Sequence, residues 1–387
     1  MKTILVSLIS EHTIPNILIA AHYKPHILWF ISTKKMEDDR KTECMENTLR
    51  LMGYLPPPEN IKKEIVDQDT LTDCMNKIEG LIENVDGEVE YIINITGGNK
   101  VMALAAYEIF REIGQKVIID YMPIGKNEFV QIFPRKKPLK LSNIGERLNL
   151  EEYLSSYGFK IQNRDKLPIT KSKSLSRKET SKWILDNYEQ LKGVLGFLYK
   201  QLGDKRRRVK HRLTATFDRS LSKVEKELLF KQRFQIHDQL ITKDLTKDEI
   251  IYLTGGWFEE CVFNQVYELL QDGSIDDAMI GVKVESLSGS ANDLDIAFVK
   301  DNILHHIECK TLGEGDKEKN IIRDEVYKRG AISTLLGKVE KSIYTTLNQI
   351  NEHLSQRSMD YKVEILPIDQ VRNLKNRLKE RFSGKMR

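Results

Sequence analysis

The sequence has few cysteines, no long apolar run and only a small excess of positive charge. The first two features argue against a zinc site and a membrane span, and the third leaves the partner open. Its four cysteines, in 387 residues, include no C-x-x-C pair, which argues against a zinc site and favours free thiols in a reducing cytoplasm. No stretch of about 20 apolar residues exists, so we expect no membrane span. A net charge of +4 permits a nucleic-acid partner without requiring one.

The usual nucleotide fingerprints are also missing, since neither G-x-x-x-x-G-K-[ST] nor G-x-G-x-x-G occurs. The first 135 residues nevertheless alternate strand-like and helix-like patterns. The strand-like runs are KTILVSLIS, HILWFIST, EYIINIT and KVIIDYMPI. Helices are predicted at 71–83 and 100–112, the second with an apolar face of Val101, Leu104, Ala105 and Ile109. This alternation predicts an open, mostly parallel, Rossmann-like α/β sheet.

Polar and basic residues follow the ends of these strands, in SEHT, STKK, TGGNK and PIGK. Ligands of open α/β sheets bind at the carboxyl ends of the strands, and a helix N-terminus after a glycine turn suits an anion. We therefore predict a pocket for a polyanion at this edge. Its candidate residues are Ser10, Thr13, Thr33, Lys34, Asn94, Thr96, Gly97, Gly98, Asn99, Lys100, Gly125 and Lys126.

The middle of the chain has a different character. Residues 134–181 are predicted to be a partly exposed connector, and residues 182–250 to be helical and very basic, with KRRRVKHR at 205–212. Such a run is most often a solvated face, and a nucleic-acid contact is the minority interpretation.

Residues 292–310, NDLDIAFVKDNILHHIECK, have the pattern of a β-hairpin that turns at Asp301-Asn302. In that register Asp295 stands opposite Glu308, and Lys310 emerges on the same face as Glu308. Two ionised carboxylates this close repel unless one is protonated or a cation lies between them. Oxygen ligands favour Mg²⁺ or Mn²⁺, which can activate water against a phosphate.

The arrangement D-x(12)-E-C-K resembles the PD-(D/E)xK nuclease superfamily, which has the restriction-endonuclease-like fold. The resemblance implies catalytic roles for Asp295, Glu308 and Lys310, with metal ligands from both carboxylates and the Cys309 backbone carbonyl. Members of the superfamily often carry a glutamate on an upstream helix, and Glu259 of TGGWFEE is preferred here to Glu260. His306 and Lys328 are weaker candidates.

The strand-end loops TGGNK and PIGK resemble those of the CARF domain, and the whole chain resembles the CARF–nuclease effectors of type III CRISPR systems. The resemblance implies a homodimer that binds cyclic oligoadenylate, typically cyclic tetra-adenylate, and then cuts DNA, RNA or both with little sequence preference. We therefore predict a CARF domain at 1–140, a connecting, largely helical basic region at 141–250 and a PD-(D/E)xK nuclease domain at 251–387.

Two other functions stay open at this stage. One is a restriction or repair nuclease that needs no activator, and the other is a CARF-type regulator whose C-terminal half only binds DNA. The sensor domain could also cut its own activator, with Lys100 and Thr13 as candidates. The sequence does not decide the ring size of the activator, or the preference between DNA and RNA and between single and double strands.

Overall fold

Seven strands form the first sheet, and their order is the Rossmann-like one that the sequence predicts. The protein is described from a computed structural model over residues 1–114, 116–311, 336–337, 342–348, 358 and 363–383. The strands are β1 (Lys2–Leu8), β2 (Ile27–Thr33), β3 (Ile61–Val66), β4 (Val89–Asn94), β5 (Val117–Tyr121), β6 (Glu128–Phe133) and β7 (Leu141–Asn143). Their order is β3-β2-β1-β4-β5-β6-β7. The first five are parallel, while β6 and β7 add an antiparallel edge.

Helices cover both faces of this sheet. They are α1 (Ile14–Tyr23), α2 (Lys34–Asp38), α3 (Lys41–Leu51), α4 (Leu71–Glu83) and α5 (Lys100–Ile113). Strand β1 alternates between the faces, so Leu5 packs with α1 and α3 whereas Val6 packs with α4 and α5. One detail of the prediction for α5 is wrong. Leu104 is 62% exposed and lies outside the buried stripe of this helix. That stripe does contain the predicted Ala105 and Ile109.

Residues 141–250 contain a small sheet as well as the predicted helices. The helices are α6 (Leu150–Ser156), α7 (Leu167–Ser176), α8 (Lys178–Asp186), α9 (Tyr188–Leu202), α10 (Lys223–Lys231) and α11 (Lys247–Ile251). The strands are β8 (Phe159–Ile161), β9 (Lys210–Thr216), β10 (Gln235–His237) and β11 (Leu240–Thr246), of which the last three form an antiparallel sheet. The basic run enters β9, where the buried Leu213 alternates with exposed residues. The surplus of charge in the run hides this period of two in the sequence.

A mixed six-stranded sheet contains the hairpin. It consists of β8 and of β12 (Asp277–Ser286), β13 (Ala291–Lys300), β14 (Ile303–Lys310), β15 (Ser342–Thr346) and β16 (Val363–Leu366), in the order β16-β15-β14-β13-β12-β8. A turn of π-helix at Tyr252–Gly256 leads into α12 (Trp257–Gln271), and α13 (Ile368–Val371) and α14 (Leu374–Phe382) follow β16. Strand β8 pairs with β12, so part of the predicted exposed connector is an edge strand of this sheet.

One apolar layer joins the first sheet to the six-stranded sheet. A single core contains Leu5 and Phe30 from the first sheet, Tyr153 from α6, and Val282 and Leu304 from the six-stranded sheet. On its other face the six-stranded sheet packs against α12. A movement of either sheet therefore displaces the helices packed between the two sheets, because close-packed interiors transmit strain. Over the described residues, no helix combines the length and the apolar character that crossing a bilayer requires.

Candidate active site and ligand-binding edge

The hairpin of β13 and β14 has the register that the sequence predicts. Ile296 lies opposite Ile307, so Asp295 and Glu308 follow directly beyond that pair. Residues 301–302 form the two-residue turn with φ values of 52° and 61°, which are the left-handed values of a type I′ turn. The two predicted carboxylates thus occupy the same end of the ribbon, away from its turn.

The side chains at this end of the hairpin are joined by short hydrogen bonds. The backbone N–H of Cys309 donates to Asp295 Oδ2 at 2.9 Å, and Lys310 Nζ donates to Glu308 Oε1 at 2.6 Å. Glu308 is only 3% exposed, and its carbonyl oxygen accepts a bond from Thr345 Oγ1 of β15 at 3.0 Å. The acid, acid and lysine of the motif therefore meet at one place on the sheet.

Burial and nearby negative charge raise the pKa of two carboxyl groups of this cluster, Asp295 and Glu259. Burial first, and then the charges of Glu259 and Glu308, raise the pKa of Asp295 to about 7. Burial likewise raises the pKa of Glu259; the charge of Glu308 raises it further, while those of Arg206 and Lys310 lower it. Such a cluster of acids stores repulsion that a bound cation relieves.

The two adjacent glutamates of α12 face different neighbours. Glu259 interacts electrostatically with Glu308 and Lys310. Glu260 instead turns towards α7, where its Oε1 lies 3.0 Å from Arg177 Nη1. Burial raises the pKa of Glu260 to about 7 in spite of that arginine. Glu259 is therefore the one of the two that lies near the hairpin residues, and its role as the helix acid stays a prediction.

The donor set fits a hard divalent cation, although the side chains as placed do not close around one. Three carboxylates and a backbone carbonyl are the oxygen ligands that Mg²⁺ and Mn²⁺ prefer. In the described part of the chain, no three carboxylate, imidazole or thiol groups lie close enough to hold a metal ion. Glu308 contacts Lys310 and Asp295 contacts the Cys309 amide. Both groups must therefore reorient before they can share an ion.

A feature that the sequence did not reveal is the contact of Arg206 with the π-helical turn before α12. Arg206 Nε donates to Thr254 Oγ1 at 2.7 Å, and its Nη2 donates to the Thr254 carbonyl oxygen. The next residue, Gly255, has φ 134°, and a Cβ there would lie 2.8 Å from Thr311 Oγ1 and 3.2 Å from Arg206 Nη2. The TGG of TGGWFEE is thus needed for this turn and for the close approach of Arg206.

The two histidines of β14 belong to the protein interior. His305 stacks on Phe298 with ring centroids 4.8 Å apart, and burial lowers its pKa to about 3. His306 is 1% exposed, so it also lies in the interior. Lys328 lies outside the described residues.

At the strand-end edge of the first sheet, two of the predicted ligand residues, the buried Asn94 and the half-buried Thr96, belong to an internal hydrogen-bond network. Asn94 Nδ2 donates to Asn16 Oδ1 at 2.6 Å, and Asn16 Nδ2 donates to the Leu8 carbonyl at 2.8 Å. Thr96 Oγ1 donates to Asn94 Oδ1 and accepts from the Met122 backbone N–H. These side chains tie β1, β4, β5 and α1 together, so they support the edge in this structure, and their contact with a ligand stays a prediction.

Two further predicted ligand residues are also used internally. Thr13 is fully buried and donates to the Ser156 carbonyl oxygen of α6 at 2.6 Å. Thr33 is 5% exposed and caps α2 by accepting from the Met36 N–H. The burial of Thr13 also weakens its case as a residue that cuts an activator.

The glycines of TGGNK serve close packing within the protein. A Cβ at Gly97 would lie 1.9 Å from the Leu8 carbonyl oxygen, so no other residue fits there. Gly98 and Gly125 have φ values of 67° and 74°, which other residues rarely adopt. The need for glycine that the sequence pattern indicates is therefore present at Gly97, and the group that requires it here is the Leu8 carbonyl of β1.

The remaining candidates leave a basic, accessible edge. Lys34, Lys100 and Lys126 are all exposed at three different strand ends. Asn99 caps α5 through the Met102 N–H. Ser10 is half-buried, and its hydroxyl donates to a nearby backbone carbonyl. The three lysines are the part of the prediction that stays suited to an anionic ligand.

The turn of the hairpin is docked onto this same edge. Asn302 Oδ1 accepts from the Leu148 N–H at 2.8 Å, and Asn302 Nδ2 donates to Asn127 Oδ1 at 2.8 Å. Asn127 in turn donates to the Asp301 carbonyl oxygen at 3.2 Å. Because Asn127 directly follows the PIGK loop, one end of the hairpin contacts the proposed ligand edge and the other end carries Asp295 and Glu308.

The fold joins a Rossmann-like domain to a mixed-sheet domain that carries the acid, acid and lysine of a nuclease motif. Comparison with known families agrees, since residues 4–153 match the Card1 CARF domain and residues 246–385 match the Card1-like endonuclease domain. The chain therefore belongs to the Card1 family of CARF-domain endonucleases, as the strand-end loops and the hairpin motif predicted. No curated protein sequence matches it significantly.

Solved structures share the whole fold at low sequence identity. Protein VC1899 from Vibrio cholerae aligns with a TM-score of 0.79 and 19% identity, covering 98% of both chains. Can2 from Sulfobacillus thermosulfidooxidans, in complex with cyclic tetra-adenylate, aligns at 0.77 and 20%, covering 98% of this chain and 99% of Can2. A type III CRISPR defence DNA nuclease activated by cyclic oligoadenylate aligns at 0.54 and 15%, over 90% of this chain but 45% of that one.

Proposed function

We propose that this protein is a metal-dependent nuclease of CRISPR antiviral defence that is activated by cyclic tetra-adenylate. It cuts DNA or RNA phosphodiesters, in single strands or as nicks in a duplex, with little sequence specificity. The observation that carries the proposal is the grouping of Asp295, Glu308 and Lys310 on a hairpin whose turn contacts the sensor edge, with Glu259 of α12 close enough to feel their charges. The cyclic tetra-adenylate held by Can2, a protein of the same fold, supports the activator.

Mn²⁺ or Mg²⁺ would be held by Asp295, Glu308, Glu259 and the Cys309 carbonyl. When bound, such an ion supplies a water made nucleophilic at neutral pH and a positive charge beside the phosphate. Lys310, already at 2.6 Å from Glu308, orients that water and offsets phosphate charge. The pKa values of Asp295 and Glu259 are raised, so a cation bound between these carboxyls would favour their ionised forms.

The activator binds, in this proposal, at the edge that carries Lys34, Lys100 and Lys126. A ring of phosphates needs several cations, and a homodimer supplies each lysine twice around its two-fold axis. The exposed Leu104 of α5, 62% accessible in the monomer, is the kind of apolar residue that a partner subunit covers. These features support a homodimer with one shared ligand pocket, and we propose the cytoplasm as its location.

Activation requires that the ligand favour one arrangement of the nuclease over another. The contact between Asn127 and Asn302 and the apolar layer shared by the two sheets provide the physical connection. A shift of the PIGK loop on ligand binding moves the hairpin turn. Because β13 and β14 are continuous from turn to active site, it also moves the strands that bear Asp295 and Glu308.

A cleavage assay tests the proposal. Labelled single- and double-stranded DNA and RNA are incubated with the protein and Mn²⁺ or Mg²⁺, with and without cyclic tetra-adenylate, beside the variant Glu308→Gln. We expect cleavage only with both metal and activator, and none by the variant. Equal cleavage without the activator indicates a constitutive restriction or repair nuclease. Nucleic-acid binding without any cleavage indicates a DNA-binding regulator with an inactive nuclease half.

A further inference from the structure

We propose that Arg206, from the basic run 205–212, is a substrate-contacting residue of the nuclease site that binds a backbone phosphate beside the scissile bond. The proposal rests on the nuclease function given above and extends it to a residue far from the motif in sequence. It also assigns a role to a residue of the basic run whose charge acts on Glu259.

The anchor of Arg206 leaves most of its guanidinium unused. Nε donates to Thr254 Oγ1 and one N–H of Nη2 donates to the Thr254 carbonyl. A guanidinium carries five N–H donors, so three remain. Among the residues that the structure describes, none of these three has a protein acceptor, which leaves them for a ligand.

The charge of Arg206 is likewise not neutralised by a nearby acid. In the described residues, no carboxylate lies within 4.0 Å of its guanidinium, although its charge still reaches Glu259. Arginines with a structural role in this protein are paired: Arg219 lies 2.9 Å from Glu225, and Arg177 lies 3.0 Å from Glu260. A cation fixed in position but without an ion pair is suited to a phosphate, which prefers the planar fork of arginine.

The position of Arg206 matches that role. The space above Gly255 is bordered by Arg206 Nη2 on one side and by Thr311 Oγ1 on the other, and Thr311 directly follows the motif lysine. The rest of the basic run then leads away along the surface, with Arg207, Arg208 and Lys210 all exposed. A nucleic-acid strand that follows these charges arrives at the motif residues next to Arg206.

The test measures binding apart from cleavage. A labelled single-stranded DNA, the matching duplex and the matching RNA are titrated by fluorescence anisotropy at several salt concentrations with Glu308→Gln protein, alone and combined with Arg206→Ala, Arg206→Lys or Thr254→Val. For the preferred strand, we expect Arg206→Ala to weaken binding about tenfold. It should also reduce the magnitude of the slope of log affinity against log salt by about 1. Arg206→Lys should restore the slope, because it keeps the charge.

Thr254→Val separates phosphate binding from support of the π-helical turn. It removes the hydroxyl anchor but keeps the guanidinium charge, so the salt slope should stay while thermal stability falls. If Arg206 is only a clamp, Arg206→Ala and Thr254→Val lower the melting temperature alike and the slope is unchanged in both, which overturns the proposal.

The same measurements distinguish failure of this inference from failure of the proposed function. If the slopes of the Glu308→Gln proteins differ as expected but the wild-type protein never cleaves, the Arg206 contact is retained and the nuclease is rejected. Activator-dependent cleavage with unchanged slopes would retain the nuclease and reject the Arg206 contact. A protein that binds none of the three nucleic acids overturns both.

Discussion

Asn302, at the tip of the β13–β14 hairpin, donates a hydrogen bond from Nδ2 to Oδ1 of Asn127 at 2.8 Å. Asn302 is 5% exposed and also bonds the backbone of residues 146 and 148, so the tip is firmly held. The bond joins the residue after the PIGK loop to the ribbon that carries the proposed catalytic acids. If activation passes through this contact, loosening it should separate ligand binding from cleavage.

We predict that Asn302→Gly lowers the ratio of activated to basal cleavage. Glycine accepts the φ of 61° at this position, so the turn is kept while three side-chain hydrogen bonds are lost. Coupling between two sites is typically about 1–3 kcal/mol, so we expect a loss of about fivefold or more in the ratio. Cleavage rates with and without cyclic tetra-adenylate measure it.

The control for that variant is Asp238→Gly, which changes another residue of positive φ, 55°, in the turn between β10 and β11. It should leave the activation ratio at the wild-type value. An Asn302→Gly protein that is activated as strongly as the wild type would show that the hairpin tip does not transmit the signal.

The exposed lysines and the buried asparagine of the sensor edge should respond differently to substitution. Lys100→Ala and Lys126→Ala each remove one exposed cation, so we expect activator affinity to fall about tenfold with the melting temperature nearly unchanged. Asn94→Ala breaks the buried network and should cost about 1–3 kcal/mol of folding stability. Calorimetric binding and thermal unfolding separate the two effects. Equal losses of affinity and stability in all three variants would contradict the assignment.

Asp120 of β5 makes the stability of the sensor domain depend on pH. The side chain is fully buried and accepts from Tyr23 Oη at 2.6 Å, and burial raises its pKa to about 6 from an ordinary 3.8. Between these values the folded protein holds a proton that the unfolded chain has released. The stabilisation is therefore complete below about pH 4 and is lost as pH rises to about 6.

Accordingly, Asp120→Asn should be more stable than the wild type at pH 8 by about 2 kcal/mol and nearly equal to it at pH 4. Asparagine keeps the shape and the acceptor for Tyr23. Urea unfolding at the two pH values gives the comparison, and the exposed Asp86→Asn serves as the control. A variant that is less stable than the wild type at pH 8 would mean that the ionised carboxylate is stabilising.

The hairpin could be predicted from the sequence because its information is local. A two-residue turn fixes the register of every pair beyond it, and the observed pairing of Ile296 with Ile307 follows directly from the turn at residues 301–302. The exposed lysines could be found for a similar reason, since the carboxyl ends of parallel strands share one edge.

Contacts between distant segments could not be predicted in this way. Arg206 meets Thr254 across 48 residues of sequence, and nothing in either segment identifies its partner. The internal partners of Asn94 and Thr96, which the sequence assigned to a ligand, could not be predicted for the same reason. The local sequence around a polar strand-end residue is the same whether its side chain faces solvent or bonds a buried residue such as Asn16. Only tertiary packing decides between these two environments.

The last prediction concerns the two adjacent glutamates of α12, which differ in what they face. Glu259→Gln should reduce activated cleavage by at least about a hundredfold, because it removes a charge directed at Glu308 and Lys310. It should not destabilise the metal-free protein, since it relieves repulsion among buried acids. Glu260→Gln should cleave at nearly the wild-type rate and be no less stable than the wild type at pH 8, because burial already disfavours the ionised form of Glu260 and Arg177 keeps its pair with Asp248. Cleavage rates with Mn²⁺ and urea unfolding in EDTA measure both variants. If Glu260→Gln is the inactive one, the helix acid of the site has been assigned to the wrong side of α12.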